Sequence, residues 1–583
     1  MSDTIYLLKL KTQKVQSFIF KVPKLKSMLG ANSLLGEFFS EDLPDLRKNH
    51  GGVPKFFKSV KKNENYKWES DDIFENFKNG VIASAGGHFE AVFCDEKDAT
   101  NFLKEALKKA NQKLPGVGIS HHLKSIKGAE NLLYKDYEKE DKKVDSDTVK
   151  NIDDIKIEEN FYYIDSPFFY PSEKDGENPE LLKSKDNSMI TKHIETQGEA
   201  FYNQKSNDYL AKFYAEFQKD EFYKAFKEGK YKRYEKKDLS TLKHASLIPN
   251  NNMIAIIATD GNGMGNRFSA LRRQLTGDLR NDETQKEEFK SKSLFEALIE
   301  IEKFWFKARN GFRVALKKSI EDIAGRSDNF TKYDTLPFVI MMLGGDDLLV
   351  VSVPELAFDF VTEFNKNLSE AKDKITSCSG IAFVKHNYPF SHAHELSESL
   401  LDSAKKLSKM EKFKRGDDNK YLRDEKGNKI LREDFPQGPP AVDWHFQYSS
   451  LYDDIEEIRK RDYLLTYETD PEERTEVLSM RPYFVDLDKD DKNRKNYLGY
   501  LIEKSKDIYD KYSENDGDTK GRNKYKKLRE LIKEGKEASE HYINLFLPNN
   551  KNLFKYECIN NNIYLNKSLD IIEMLGLNER GDK

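Results

Sequence analysis

Two adjacent carboxylates sit at the tip of an otherwise apolar stretch. Residues 338–353 read FVIMMLGGDDLLVVSV, with Asp346 and Asp347 directly after Gly344 and Gly345. Burying either acid without a partner costs several kcal/mol. A divalent cation is the natural partner, because Mg²⁺ takes oxygen ligands and is shared between one or two carboxylates and substrate phosphates. The glycines let the backbone approach a nucleotide closely. Gly and Asp are also turn formers, so this string alone leaves an ordinary turn open beside the catalytic reading.

A second string adds to the first. The apolar run MIAIIAT, residues 253–259, ends at Asp260 and opens into Gly261, Asn262, Gly263, Met264 and Gly265. A strand that turns through glycines into a helix points backbone N–H groups where phosphates bind. If this strand neighbours the hairpin, Asp260 and Asp346 can hold two metal ions, or one metal and a nucleotide. One ion would acidify an attacking 3′-hydroxyl and the other would stabilise leaving pyrophosphate. The glycine turn also reads as a plain strand–helix connection. It is not a dinucleotide fingerprint, since its spacing is G-x-G-x-G. Lys405 and Lys406 lie on a later amphipathic helix. One of them could reach a triphosphate; a solvated lysine pair is the other reading.

The elements that must carry these residues occur twice. Residues 5–10 (IYLLKL) read as a buried strand, and residues 15–39 as one or two helices broken at Gly30. Residues 81–93 (VIASAGGHFEAVF) read as a hairpin around Gly86 and Gly87. An amphipathic helix with Ala99, Phe102, Leu103, Ala106, Leu107 and Ala110 follows, then a strand past Pro115 and Gly116. The same order returns as the strand 253–259, a long helix over 293–323, the hairpin 338–353, a helix with Phe360 and Phe364, and a strand over 379–384. A last helix carries Ala393, Leu396, Leu400, Ala404 and Leu407. The fold class expected is α+β, an antiparallel sheet covered by helices, duplicated. The expected division is a first copy with a degenerate site over 1–150, a mostly helical region over 151–248, a second, catalytic copy over 249–412, and a linker with a C-terminal helical domain over 413–583.

Composition sets the limits. At 583 residues, several domains are expected. With 38 Phe and 29 Tyr the chain is not of the disordered class. A net charge of −4 argues against a globally basic nucleic-acid binder. Three cysteines without C-x-x-C spacing exclude a zinc ribbon and a disulfide framework. There is no signal-like segment and no run of ~18 apolar residues, so a cytoplasmic protein without a membrane anchor is expected.

The ordered set of motifs resembles a known family. Asp-Gly-Asn-Gly-Met-Gly, then Leu-Gly-Gly-Asp-Asp, then a Ser-Gly-Ile-Ala strand and a helix with Ala404-Lys405-Lys406 resembles the large palm-domain subunit of type III CRISPR effector complexes, nearest its Cmr-type branch. Residues 15–19 with Asn32-Ser33-Leu34-Leu35 resemble the family's first palm, and Val442-Asp443-Trp444-His445 the segment after its second. The resemblance implies two ferredoxin-like palm domains of the cyclase/polymerase type. It implies ATP as substrate, Mg²⁺ (or Mn²⁺) as cofactor, and cyclic oligoadenylate or a related AMP-containing product. It implies CRISPR RNA, target RNA, a small helical subunit and backbone subunits as partners. Asp260, Asp346 and Asp347 match the family's metal site. Nucleotide contacts are expected from Gly261 to Gly265, from Gly344, Gly345, Lys405 and Lys406, and in the first palm from Ser33, Gly86, Gly87 and His88.

Two departures bear on activity. Many members begin with an HD nuclease and carry a four-cysteine zinc site; this chain has no His-Asp dipeptide and only three dispersed cysteines. DNA cleavage by this chain is therefore not expected. In the first copy His88 and Phe89 follow Gly86-Gly87 where the second has acids, so an acceptor-nucleotide platform lying against base or ribose is expected there. Two other functions stay open: a stand-alone enzyme like the diguanylate cyclases, and a non-enzymatic RNA-complex scaffold.

Overall fold

The computed structural model describes residues 4–138, 253–277, 291–326, 337–414 and 421–581 with short interruptions, and two-residue strands at 181–182 and 189–190. The rest of 151–248, with its expected helices, lies outside the described residues. The chain divides into two compact units. Unit 1 comprises Met1–Lys219, Met264–Asn310 and Met341–Gly345; unit 2 comprises Asp220–Gly263, Gly311–Ile340 and Asp346–Lys583.

The first sheet is built from β1 (Thr4–Gln13), β2 (Val81–Ala85), β3 (His88–Phe93) and β4 (Gly118–Lys127), in the antiparallel order β2-β3-β1-β4. Alternation along the strands gives the sheet two faces. Phe89 and Phe93 turn to Phe102 of helix α2 (Glu96–Lys113), which follows α1 (Leu25–Glu37), with ring centroids 5.6 and 5.3 Å apart. Ile5, Leu7 and Val92 turn the other way, into a core with Leu294, Ala297 and Leu298. The expected helix break at Gly30 is not there. Gly30 is buried inside α1, where packing outweighs the ~1 kcal/mol that glycine costs a helix.

The second sheet repeats the plan. The strands β5 (Leu181–Leu182) and β6 (Met189–Ile190) pair with each other. After them come β7 (Met253–Gly261), β8 (Phe338–Gly344), β9 (Asp347–Ser352) and β10 (Ser377–Lys385), then β11 (Ala441–Gln447). Helices α3 (Met264–Thr276) and α4 (Leu294–Arg326) separate β7 from β8. Helix α5 (Ala357–Glu370) precedes β10, and α6 (Phe390–Glu411) follows it. The order β10-β7-β9-β8 matches β4-β1-β3-β2 of the first sheet. This is the β-α-β-β-α-β plan of ferredoxin-like domains. The duplication read from the sequence is thus present as two α+β layers. β11 extends the second sheet parallel to β10, and its outer edge pairs with a short strand at 483–484.

Beyond 450 the chain is not purely helical, as the charge-dense sequence led us to expect. Helix α7 (Ile455–Tyr463) runs into a hairpin, Leu464–Glu468 with Glu473–Val477, and two further strands at 557–560 and 563–565 complete a four-stranded sheet. Its strands look polar because Glu476 is fully buried yet satisfied, by Arg474 and by the Lys536 backbone N–H at 2.8 Å. Four helices, Leu498–Ser513, Thr519–Ile532, Lys536–Phe546 and Ser568–Gly581, accompany it. No helix among the described residues is long and apolar enough to cross a membrane.

Candidate active site

Three carboxylates converge at one end of the second sheet. Asp260 is the penultimate residue of β7, and antiparallel pairing sets it directly opposite Asp347, the first residue of β9. Asp346 occupies the hairpin turn, and its carbonyl accepts from the Gly261 N–H at 3.2 Å. One carboxylate oxygen from each of Asp260, Asp346 and Asp347 lies within 4.8 Å of the others. Like charges opposed in a sheet repel. Burial, then the charge of Asp260, raise the Asp346 pKa to about 6. Partial burial, then Asp260 and Asp346, raise that of Asp347 to about 8, although the residue keeps a face open to solvent. On the other side of Asp260 stands Cys378, whose thiol burial pushes up to about 11, so it stays neutral.

Three hard oxygen donors this close together fit a divalent cation. The fold already sets one cation against the cluster, since Lys405 of α6 contacts Asp260. Burial opposes its charge, but Asp260 and then Asp347 more than offset that, and its pKa lies above the ordinary lysine value.

The seating of α6 explains the reach of Lys405. Gly380 of β10 lies opposite Ala258, two residues before Asp260 and on the same face. A Cβ on Gly380 would lie 2.0 Å from the Ser397 carbonyl oxygen and 2.3 Å from the Leu401 nitrogen. Only glycine lets α6 press its backbone onto this face. Lys405 follows one turn later, over the acids. The Ser379-Gly380 pair on this strand carried that information, but only the packing reveals its use.

The other expected residues divide by role. Asn262 is buried, and its side chain donates to Thr376 Oγ1 at 3.0 Å and to the Pro439 carbonyl at 3.4 Å. It anchors the turn. Gly263 has φ +65°, and a Cβ there would meet Gln437 Oε1 at 2.3 Å. Met264 is buried, whereas Gly265, Gly344 and Gly345 have open space where a Cβ would stand. Lys406 is exposed and pairs with Glu456 at 3.4 Å, away from the acids that Lys405 serves. Ser33 belongs to α1, and its side chain lies outside the described residues. Its neighbour Asn32, in unit 1, donates to the Met341 carbonyl at 3.4 Å.

In the first sheet the hairpin tip is Gly86-Gly87, with φ values of 62° and 76°. The strand β3 begins at His88, opposite Lys11. His88 and Lys11 therefore hold the places that Asp347 and Asp260 hold in the second copy. Partial burial and then the Lys11 charge lower the His88 pKa, which keeps the ring neutral. Phe89 is fully buried against Phe102 on the opposite face, so the expected contact of its ring with a base or ribose is corrected. The period of two along the strand sends it away from His88.

Residues 253–413 match the family model described as Cas10/Cmr2, second palm domain. This segment is similar to a Cas10/Cmr2 second palm domain. Palm two thus contains all three acids and Lys405. Solved structures of a Csm1–Csm4 cassette are similar to the chain at low identity. The cassette in complex with AMPPNP gives a TM-score of 0.39 at 14% identity, over 70% of this chain and 53% of that one. The complex with cA4 gives 0.41 at 13% identity, over 89% and 64%. The Csm1–Csm4 subcomplex of the type III-A CRISPR-Csm interference complex gives 0.41 at 13%, over 91% and 65%. The chain spans about half the length of the first of these. No curated protein matches it.

Proposed function

We propose that this chain is the nucleotidyl-cyclase subunit of a type III CRISPR RNA-guided complex, and that it converts ATP into a nucleotide second messenger when target RNA binds. The observation that carries this reading is the convergence of Asp260, Asp346 and Asp347, with ligand atoms within 4.8 Å, inside a Cas10/Cmr2 palm domain. Asp260, Asp346 and Asp347 would hold Mg²⁺ or Mn²⁺, which when bound supplies charge stabilisation at the reacting phosphate. Lys405 neutralises Asp260 and is positioned to take up triphosphate charge. Gly344 and Gly345 leave room beside the acids for a nucleotide.

The domain plan that goes with this reading is a first palm over 1–150, an intervening region over 151–248, the catalytic palm over 249–412 and a C-terminal part over 413–583. The first palm has Lys11 and His88 where palm two has acids. We assign it acceptor binding without a metal of its own. Such a subunit would work in the cytoplasm with CRISPR RNA, target RNA, a small subunit and backbone subunits.

The test is nucleotide selectivity in the assembled complex. With target RNA present, ATP should yield oligoadenylate or an AMP-containing product while GTP alone yields none. Synthesis from GTP without RNA would favour a diguanylate-cyclase-like enzyme, and no product from either would favour a scaffold.

A further inference from the structure

Val442, Asp443, Trp444 and His445 lie within β11, the strand that extends the palm-two sheet beside β10. Asp443 is fully buried and pairs in register with Gly380, the residue against which the α6 backbone is pressed. A carboxylate so placed needs a charged partner. Asp443 takes one from α7: Arg459 donates from Nη2 to its Oδ2, and the Trp444 backbone N–H donates to Oδ1 at 2.8 Å. The same guanidinium donates from Nη1 to Ser403 Oγ at 3.0 Å. Ser403 belongs to α6 and stands two residues before Lys405. One arginine therefore joins the sheet to the helix that delivers Lys405. A second contact between α7 and β11 lies at the end of α7, where the Tyr463 and His445 rings meet edge to face at 6.3 Å. The Lys406–Glu456 pair also links α6 to α7, but it is exposed and adds little.

We propose that Arg459 is a positioning residue of the palm-two site: by clamping Ser403 to Asp443 it fixes α6 at the place on the sheet from which Lys405 reaches Asp260. The inference rests on the reading of that site above and deepens it. Gly380 lets the helix come close to the sheet, but packing against a glycine has no direction of its own. Arg459 supplies the direction, because charge-assisted hydrogen bonds depend on both distance and angle. Asp443 is the fixed end of the clamp, held in the sheet between its strand neighbours, and Ser403 is the end that is held in place. The fork of a guanidinium can serve both at once, whereas an ammonium is a single point. A lysine that must meet triphosphate charge gains from such a restraint, since a shift of about 1 Å in a positioned group can cost 100-fold in rate. Sequence reading singled out Asp443 only within its string. Its partner stands on a helix outside every motif, and the packing alone joins the two.

The experiment measures KM for ATP and kcat in the assembled complex with target RNA, for the parent, Arg459→Ala, Arg459→Lys, Lys405→Ala and the double variant of Arg459→Ala with Lys405→Ala. Arg459→Ala should raise KM about 5-fold, with a smaller change in kcat. Arg459→Lys should recover only part of this, because it keeps the charge and loses the fork. In the Lys405→Ala background the Arg459→Ala substitution should add nothing to KM, since the group it positions is gone. An unchanged KM in Arg459→Ala, or the same increase repeated on top of Lys405→Ala, would overturn the positioning role and leave the site standing. If the parent made no product, or Lys405→Ala left KM unchanged, the reading of the site itself would fall, and this inference with it. Should Arg459→Ala fail to fold with Asp443 left buried and unpaired, Arg459→Gln combined with Asp443→Asn removes both charges together, and the same comparison with Lys405→Ala decides.

Discussion

Asp260 and Asp347 face each other across an antiparallel strand pair, and Lys11 and His88 face each other at the corresponding place in the duplicated copy. One register position therefore holds two acids in one palm and a cation with a neutral ring in the other. Opposed acids cost stability unless a cation joins them. Such a pair at the end of a buried strand is what the proposed metal site rests on.

The cost of that acid pair should be visible as pH-dependent stability. Asp346 and Asp347 titrate near 6 and 8 in the fold, against an ordinary value of 3.8. A raised folded pKa adds stability that is full below the unfolded value and is lost as pH rises through the folded one. Asp346→Asn should therefore stabilise the metal-free protein by roughly 1–2 kcal/mol at pH 8, after allowance for solvent screening. The gain should shrink toward pH 4. Urea unfolding in EDTA across this range measures it; a variant less stable than the parent at pH 8 would contradict the account. MgCl₂ should stabilise the parent more at pH 8 than at pH 6, because protons compete for the same oxygens.

Lys405→Ala should raise KM for ATP by about 10-fold, equivalent to ~1.4 kcal/mol, with a smaller effect on kcat. Lys405→Arg should recover part of it, since the charge returns on a differently shaped group. Without nucleotide, Mg²⁺ should bind Lys405→Ala more tightly, because the ammonium no longer occupies Asp260. Steady-state kinetics and a MgCl₂ titration test the two halves separately. Lys406→Ala, whose partner is Glu456, should change neither.

Gly380→Ala should cost about 1–3 kcal/mol, the usual penalty of overpacking, because the added methyl meets the α6 backbone. It should also lower nucleotide synthesis with every acid intact, since Lys405 moves with the helix. Denaturant unfolding beside an activity assay checks both; full stability and full activity would show that α6 is not held by this contact.

Lys11→Ala and His88→Ala in the first palm should weaken acceptor use or change product length and leave the Mg²⁺ requirement as it was. Chromatography of products at limiting and saturating ATP reads this out. A lost metal requirement in either variant would place metal chemistry in the first palm and contradict the assignment.

Local strings carried much of this site. Asp260, Asp346 and Asp347 stand in short glycine–acid runs at strand ends, so their convergence needed only that β7 and β9 pair. What the strings could not carry is long-range. Asn262 reads as a phosphate-loop residue until its partners Thr376 and Pro439, distant in sequence, show it spent on a turn. Phe89 follows His88 in the chain yet belongs to the other face. The sheet beyond residue 450 was hidden because a buried, satisfied Glu476 breaks the apolar alternation by which strands are read.

The central claim is that the acids of palm two make the nucleotide product. The direct measurement is mass spectrometry of products formed from ATP and Mg²⁺ by the complex with target RNA, comparing the parent with a variant carrying Asp346→Ala and Asp347→Ala. The account predicts a complex that assembles normally and makes no product. Undiminished synthesis by the doubly substituted complex would contradict it.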